Sequence, residues 1–178
     1  MATLSQQILS LHHALTRANL SHAFGGALAL AWCTERARGT IDIDINVFVG
    51  IDQIDTVIDT LPNGVAVPKR ALAELKREGQ VRLWWDKTPV DLFLNTTDFH
   101  AGLETRVRWE QFAGDSVPFL SCLDLAVFKA FFNRTKDWAD LEEMVSAGTL
   151  DVSRVKETLA RYLEEDDPRF AHLAALQR

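Results

Sequence analysis

The chain has 178 residues, 47% of them hydrophobic, and a formal net charge of −6. That length and apolar content are enough for one domain with its own core, against disorder or a repeat array, and the acidic balance argues against a surface given over to gripping nucleic acid. No apolar run reaches the roughly 20 residues of a bilayer span, and Met1-Ala2-Thr3-Leu4-Ser5-Gln6 has neither a basic region nor a signal core, so the expected location is cytoplasmic with no membrane partner.

Leu4, Ile8, Leu11 and Leu15 recur at four, three and four residues, which predicts an amphipathic helix over residues 3 to 18. A short strand, His22-Ala23-Phe24, enters the pair Gly25-Gly26, and Ala27 to Glu35 follows as a strong helix former. Residues 41 to 49 make the best strand of the chain. A modest helix over 51 to 60 ends at Leu61-Pro62-Asn63-Gly64. Lys69, Arg70, Lys76 and Arg77 read as the solvated face of a further helix. Val81, Leu83 and Trp85 alternate with Arg82 and Trp84, and a turn at Asp86-Lys87-Thr88-Pro89 leads into Val90-Asp91-Leu92-Phe93-Leu94, so the two runs predict a hairpin. Weaker strands are expected near 106 to 110, with Arg106 and Arg108 on one face, and near 117 to 120, with the turn Ala113-Gly114-Asp115 between them.

From Ser121 onward the period is helical. Ser121, Thr135 and Asp151 are expected helix caps, and Pro168 opens a last short helix. Cys33 and Cys122 lie far apart without metal-ligand spacing and read as reduced, buried thiols. The five histidines carry no pattern of their own. The expected architecture is α/β (α+β): a small mixed sheet flanked by helices over residues 1–120, followed by a helical segment, 121–178, packed on that core.

Side chains alternate along a strand, so Asp42 and Asp44 project from one face, their Cα atoms about 7 Å apart. Two carboxylates there repel, and a divalent cation relieves the repulsion. Asp91 stands alone in an apolar strand, where an unpaired buried charge is costly. Taken singly, it reads as an ion-pair partner of Arg82 or Lys87. If its strand neighbours the strand around 41–49, the three acids form an oxygen platform suited to Mg²⁺ or Mn²⁺ and the phosphates of a substrate.

Gly25-Gly26, then Asp42-Ile43-Asp44, then Asp91, in that order, resemble the nucleotidyltransferase fold superfamily of DNA polymerase β-like enzymes. His22-Ala23-Phe24-Gly25-Gly26-Ala27-Leu28-Ala29-Leu30 with Arg38-Gly39-Thr40-Ile41-Asp42-Ile43-Asp44 is similar to the AbiEii-like branch, which includes toxins and abortive-infection proteins. The lysine Lys129 and the stretch Arg134-Thr135-Lys136-Asp137-Trp138-Ala139-Asp140 match later elements of that branch. The resemblance implies a nucleotidyltransferase fold and an Mg²⁺-dependent transfer of NMP from an NTP donor to a hydroxyl of RNA, protein or a small molecule. It implies Asp42, Asp44 and Asp91 as catalytic and metal-binding residues, and Gly25, Gly26, Arg38, Thr40, Lys129 and Asp137 as nucleotide-binding ones. A toxin or defence role, with an antitoxin protein as partner, follows from the branch. The alternatives are a catalytically inactive protein of this fold that binds a nucleotide or protein, and an antibiotic nucleotidyltransferase.

Overall fold

In the computed structural model, which describes residues 2–36 and 39–177, the chain divides into two compact units. The first runs up to Leu28 and resumes over Gly39–Leu120; the second takes the segment from Ala29 and everything from Ser121.

The first unit is a seven-stranded mixed sheet with helices. α1 (Leu4–Arg17) opens with a capping box: the Thr3 hydroxyl accepts from the Gln6 amide while Gln6 Oε1 accepts from the Thr3 amide at 2.9 Å. Its stripe of Ile8, Leu11 and Leu15 is fully buried, as the spacing requires. β1 (His22–Phe24) leads into α2 (Gly26–Thr34), which opens in the first unit and ends in the second. β2 spans Ile43–Gly50, two residues later than the expected start at 41, because Thr40 closes a turn on Asp42 before the ladder begins. After a 3₁₀ turn come α3 (Ile54–Thr60), β3 (Val65–Ala66) and α4 (Lys69–Glu78), which stops at Gly79 with φ +67°. β4 (Gln80–Trp85) and β5 (Thr88–Asn95) form the expected hairpin. α5 (Asp98–Ala101) and a second 3₁₀ turn, Leu103–Arg106, were not legible in the sequence. Arg106 therefore lies in that turn, its guanidinium 5.8 Å from the Phe99 ring, and shares no strand face with Arg108. β6 (Arg108–Phe112) and β7 (Asp115–Phe119) complete the sheet.

The strand order is β3-β4-β5-β2-β1-β7-β6. β2 lies at the centre, parallel to β5 and antiparallel to β1, and β1 runs parallel to β7. Ile43, Ile45 and Val47 are fully buried on one face of β2, which leaves the even-numbered residues before Asn46 on the face that reaches solvent.

The second unit is helical. α6 (Cys122–Phe132) is capped by Ser121, and α8 (Val152–Leu159) by Asp151. α9 (Pro168–Ala175) begins at Pro168. α7 (Thr135–Ser146) departs from expectation: its cap position is Arg134, one residue before Thr135, because the Asp137 carboxylate reaches back to the Arg134 amide at 3.2 Å and its guanidinium at 2.6 Å. The cysteines are also a correction. Cys33, at the end of α2, and Cys122, at the start of α6, form a disulfide with Cα atoms 5.6 Å apart. Spacing along the chain is silent about two helix ends meeting in space, and the disulfide removes the thiol argument for a reducing compartment. Among the described residues no helix is long and apolar enough to cross a membrane.

Candidate active site

The central ladder of the first unit brings the acids together. Asp44 on β2 pairs in register with Asp91 on β5, and Asp91 pairs with Arg82 on β4. In-register residues on adjacent strands share a face, and Asp42 lies two residues from Asp44 on that same face. The neighbourhood postulated for the two strands is therefore real, and it is a parallel pairing at the middle of the sheet. Asp42 and Asp44 are half-buried, their apolar neighbours Ile43 and Ile45 being the residues that anchor the strand.

Arg82 is the residue whose part in this site the sequence left open. Its Nε donates to one oxygen of Asp91 and a terminal nitrogen to the other, each at 2.7 Å, and the same terminal nitrogen lies 3.6 Å from Asp42 Oδ2. The bond to Asp91, with the nearby charges of Asp42 and Asp44 adding to it, raises the guanidinium's affinity for its proton. The pairing of Asp91 with Arg82 and its membership of an acidic group hold at once. The only signal for Arg82 in the sequence was its position opposite Asp91 across a predicted hairpin.

The glycine pair fits against this face. Gly25 donates its amide to the Asp44 carbonyl at 2.9 Å, and Gly26 has φ +54°. A Cβ on Gly26 would stand 2.6 Å from Asp44 Cγ and closer still to Oδ2, so only glycine leaves the Asp44 carboxylate where it is. A Cβ on Gly25 meets looser neighbours, Leu120 Cδ1 at 3.2 Å and Asn46 Nδ2 at 3.4 Å. Thr40 holds the approach to Asp42 through two bonds of 3.2 Å between its hydroxyl and the Asp42 backbone. Arg38 lies outside the described residues.

The donor set suits a hard divalent cation, since it is carboxylate oxygen throughout. Among the described residues, however, no three His, Cys, Asp or Glu side chains already form a cage. Arg82 occupies two of the carboxylates in the position of a cation, which is the observation that makes the site compatible with one.

Lys129 and Asp137 sit together in the second unit. Lys129 Nζ donates to Asp140 Oδ2 at 2.6 Å and lies 3.8 Å from Asp137 Oδ1, with 9% of its side chain exposed. Asp137 also receives Arg134, so two cations balance two carboxylates. Lys129 does not snorkel to solvent beside the phenylalanines of α6; its charge is satisfied inside the unit.

Histidines that carried no pattern in the sequence form a buried pair in the first unit. His12 Nδ1 and His22 Nε2 are 2.9 Å apart, and His22 Nδ1 is 2.8 Å from the Leu20 carbonyl. The carbonyl can only accept, so His22 Nδ1 carries hydrogen and His12 Nδ1 donates to His22 Nε2. Burial pushes His22 down to about 4.

No family model matches the chain, and no curated protein sequence does. Solved structures do. The solution structure of the antibiotic-resistance factor ANT(2'')-Ia matches 97% of this chain and 96% of its own, with a TM-score of 0.61 and 15% identity. The crystal structure of ANT(2'')-Ia in complex with adenylyl-2''-tobramycin matches 99% and 98%, again at 0.61 and 15%. An antigenic nucleotidyltransferase-like protein from Paracoccidioides brasiliensis matches 97% and 92%, at 0.55 and 15%. The mixed sheet with its flanking helices is thus the nucleotidyltransferase fold.

Proposed function

We propose that this chain transfers a nucleoside monophosphate from an NTP to a hydroxyl acceptor, with Asp42, Asp44 and Asp91 holding Mg²⁺ or Mn²⁺. The observation that carries the reading is the Asp44 and Asp91 register pair facing Arg82, with Gly26 tight against the Asp44 carboxylate. A bound divalent cation supplies neutralisation of triphosphate charge and polarisation of the reacting phosphate. The acceptor oxygen attacks the α-phosphorus, the bond to the β-phosphate bridging oxygen breaks, and pyrophosphate leaves with that electron pair. Asp91, which stands in register with Asp44 on the neighbouring strand, takes the hydroxyl proton. Gly25 and Gly26 let backbone amides at the start of α2 approach phosphate oxygens. Thr40 fixes the turn at Asp42, just before β2, and Arg38, two residues earlier in sequence, is proposed as a further phosphate contact. Lys129 and Asp137, proposed from the sequence as nucleotide contacts, are engaged with Asp140 and Arg134 within the second unit.

For the acceptor, the likeness to ANT(2'')-Ia over nearly the whole of both chains favours a small hydroxyl-bearing molecule. The Arg38-Gly39-Thr40-Ile41-Asp42-Ile43-Asp44 spelling favours a second reading, a toxin-like enzyme of the AbiEii-like branch acting on RNA or protein and paired with an antitoxin. The test is incubation with each α-labelled NTP and a cell extract, followed by separation of RNA, protein and small molecules. Label in one fraction, lost in Asp44→Asn, supports transfer and names the acceptor class. Absence of Mg²⁺-dependent nucleotide binding by isothermal titration would leave a non-catalytic protein of this fold.

A further inference from the structure

Arg82 is placed where a metal would have to compete with it. Its fork takes both oxygens of Asp91, and its terminal nitrogen faces Asp42 at 3.6 Å. A fork-to-fork guanidinium and carboxylate pair is strong and directional, so a divalent cation cannot gain Asp91 at no cost. The side chain stands on the solvent-reaching face of β4, 52% exposed, opposite the buried face built by Val81, Leu83 and Trp85, so its release from Asp91 leaves that buried face in place. A guanidinium released beside a triphosphate has an anion to bind.

On the reading of the preceding subsection, we infer that Arg82 is an exchangeable counter-cation that couples metal binding to nucleotide binding. Without nucleotide, Arg82 holds Asp91 and the carboxylates bind the metal weakly. When the metal arrives with a triphosphate, Arg82 passes from Asp91 to phosphate oxygen, and Asp91 becomes available to the metal and to the acceptor's proton. The coupling is reciprocal: metal strengthens nucleotide binding by the same factor that nucleotide strengthens metal binding. Arg82 acts on the chemistry through Asp91 and is a positioning residue.

The test is Mn²⁺ binding to the full chain followed by electron paramagnetic resonance, with and without α,β-methylene ATP, which cannot transfer its nucleotide. R82Q is expected to bind Mn²⁺ alone about tenfold more tightly than wild type, inside the roughly 5- to 150-fold range of such couplings, and to gain less from the analogue. R82K keeps the charge but loses the fork, and should fall between the two. It also carries the test if R82Q does not fold by circular dichroism. Unchanged or weaker metal-only affinity in the folded variants, with wild type still binding Mn²⁺ and the analogue, overturns the role of Arg82 alone. No Mn²⁺ binding by wild type in either condition overturns the transferase reading and this inference with it.

Discussion

Gly26→Ala probes the contact between the glycine turn and the acidic strand. The position has φ +54°, where an L-residue pays about 1–2 kcal/mol, offset in part by the 0.4–1 kcal/mol that alanine removes from the freedom of the unfolded chain. The backbone effect is therefore a loss of about 1 kcal/mol, small beside a typical domain stability. The effect on the site is larger. The new Cβ stands 2.6 Å from Asp44 Cγ, whereas carbon atoms rest about 3.5 Å apart, so the carboxylate must retreat by about 1 Å. Strand β2 holds its place through the bond from the Gly25 amide to the Asp44 carbonyl, so the side chain yields rather than the sheet. A displacement of that size in a reacting constellation costs on the order of 100-fold in rate. Urea denaturation should then show a loss of about 1 kcal/mol, while label transfer from the α-labelled NTP falls about 100-fold and Mn²⁺ affinity drops with it. Gly25→Ala, with its nearest new neighbour at 3.2 Å, is the milder control. A folded Gly26→Ala protein with transfer and Mn²⁺ affinity within a few-fold of wild type would refute the argument that this glycine sets the Asp44 carboxylate.

Asp44→Asn should abolish transfer and leave the thermal midpoint within a few degrees; a collapse of folding would make the acid structural. Lys129→Ala takes the cation away from the buried Asp140 carboxylate, while Asp137 keeps Arg134, and should cost about 3–5 kcal/mol in urea unfolding, whereas a loss below about 1 kcal/mol would show that the network relaxes into water. His22 binds its proton at about 4 when folded and at 6.5 when unfolded, so between those values the unfolded chain holds more protons. Stability from this residue is complete above pH 6.5 and declines as pH falls toward 4, by about 3 kcal/mol in all, a slope that His22→Gln should flatten. Reducing the disulfide between Cys33 and Cys122 opens a loop with a sequence separation of 89, which the chain-entropy relation values at about 4–5 kcal/mol; equal urea midpoints with and without a phosphine reductant would contradict the bond.

Local pattern determined much of this molecule. The stripe of α1, the caps at Ser121 and Asp151, Pro168 at the start of α9 and the hairpin of β4 and β5 all follow from interactions within a few residues, and such interactions are written in the order of the chain. The period of a strand pointed Asp42 and Asp44 to one face, although Asp42 stands in the turn just before β2 and is tied to that face by its approach to Arg82. The tertiary structure alone decided that Asp91 stands beside Asp44, because the strands that carry them are separated in sequence and meet only through a parallel pairing. The same holds for the partners that buried groups find. Lys129 finds Asp140 eleven residues on, His12 finds His22, and Cys33 finds Cys122. The part Arg82 plays lies between these cases. Its register with Asp91 was implicit in a hairpin, but its approach to Asp42 required β2 to lie on the far side of β5, and that is a property of strand order, which no local period encodes.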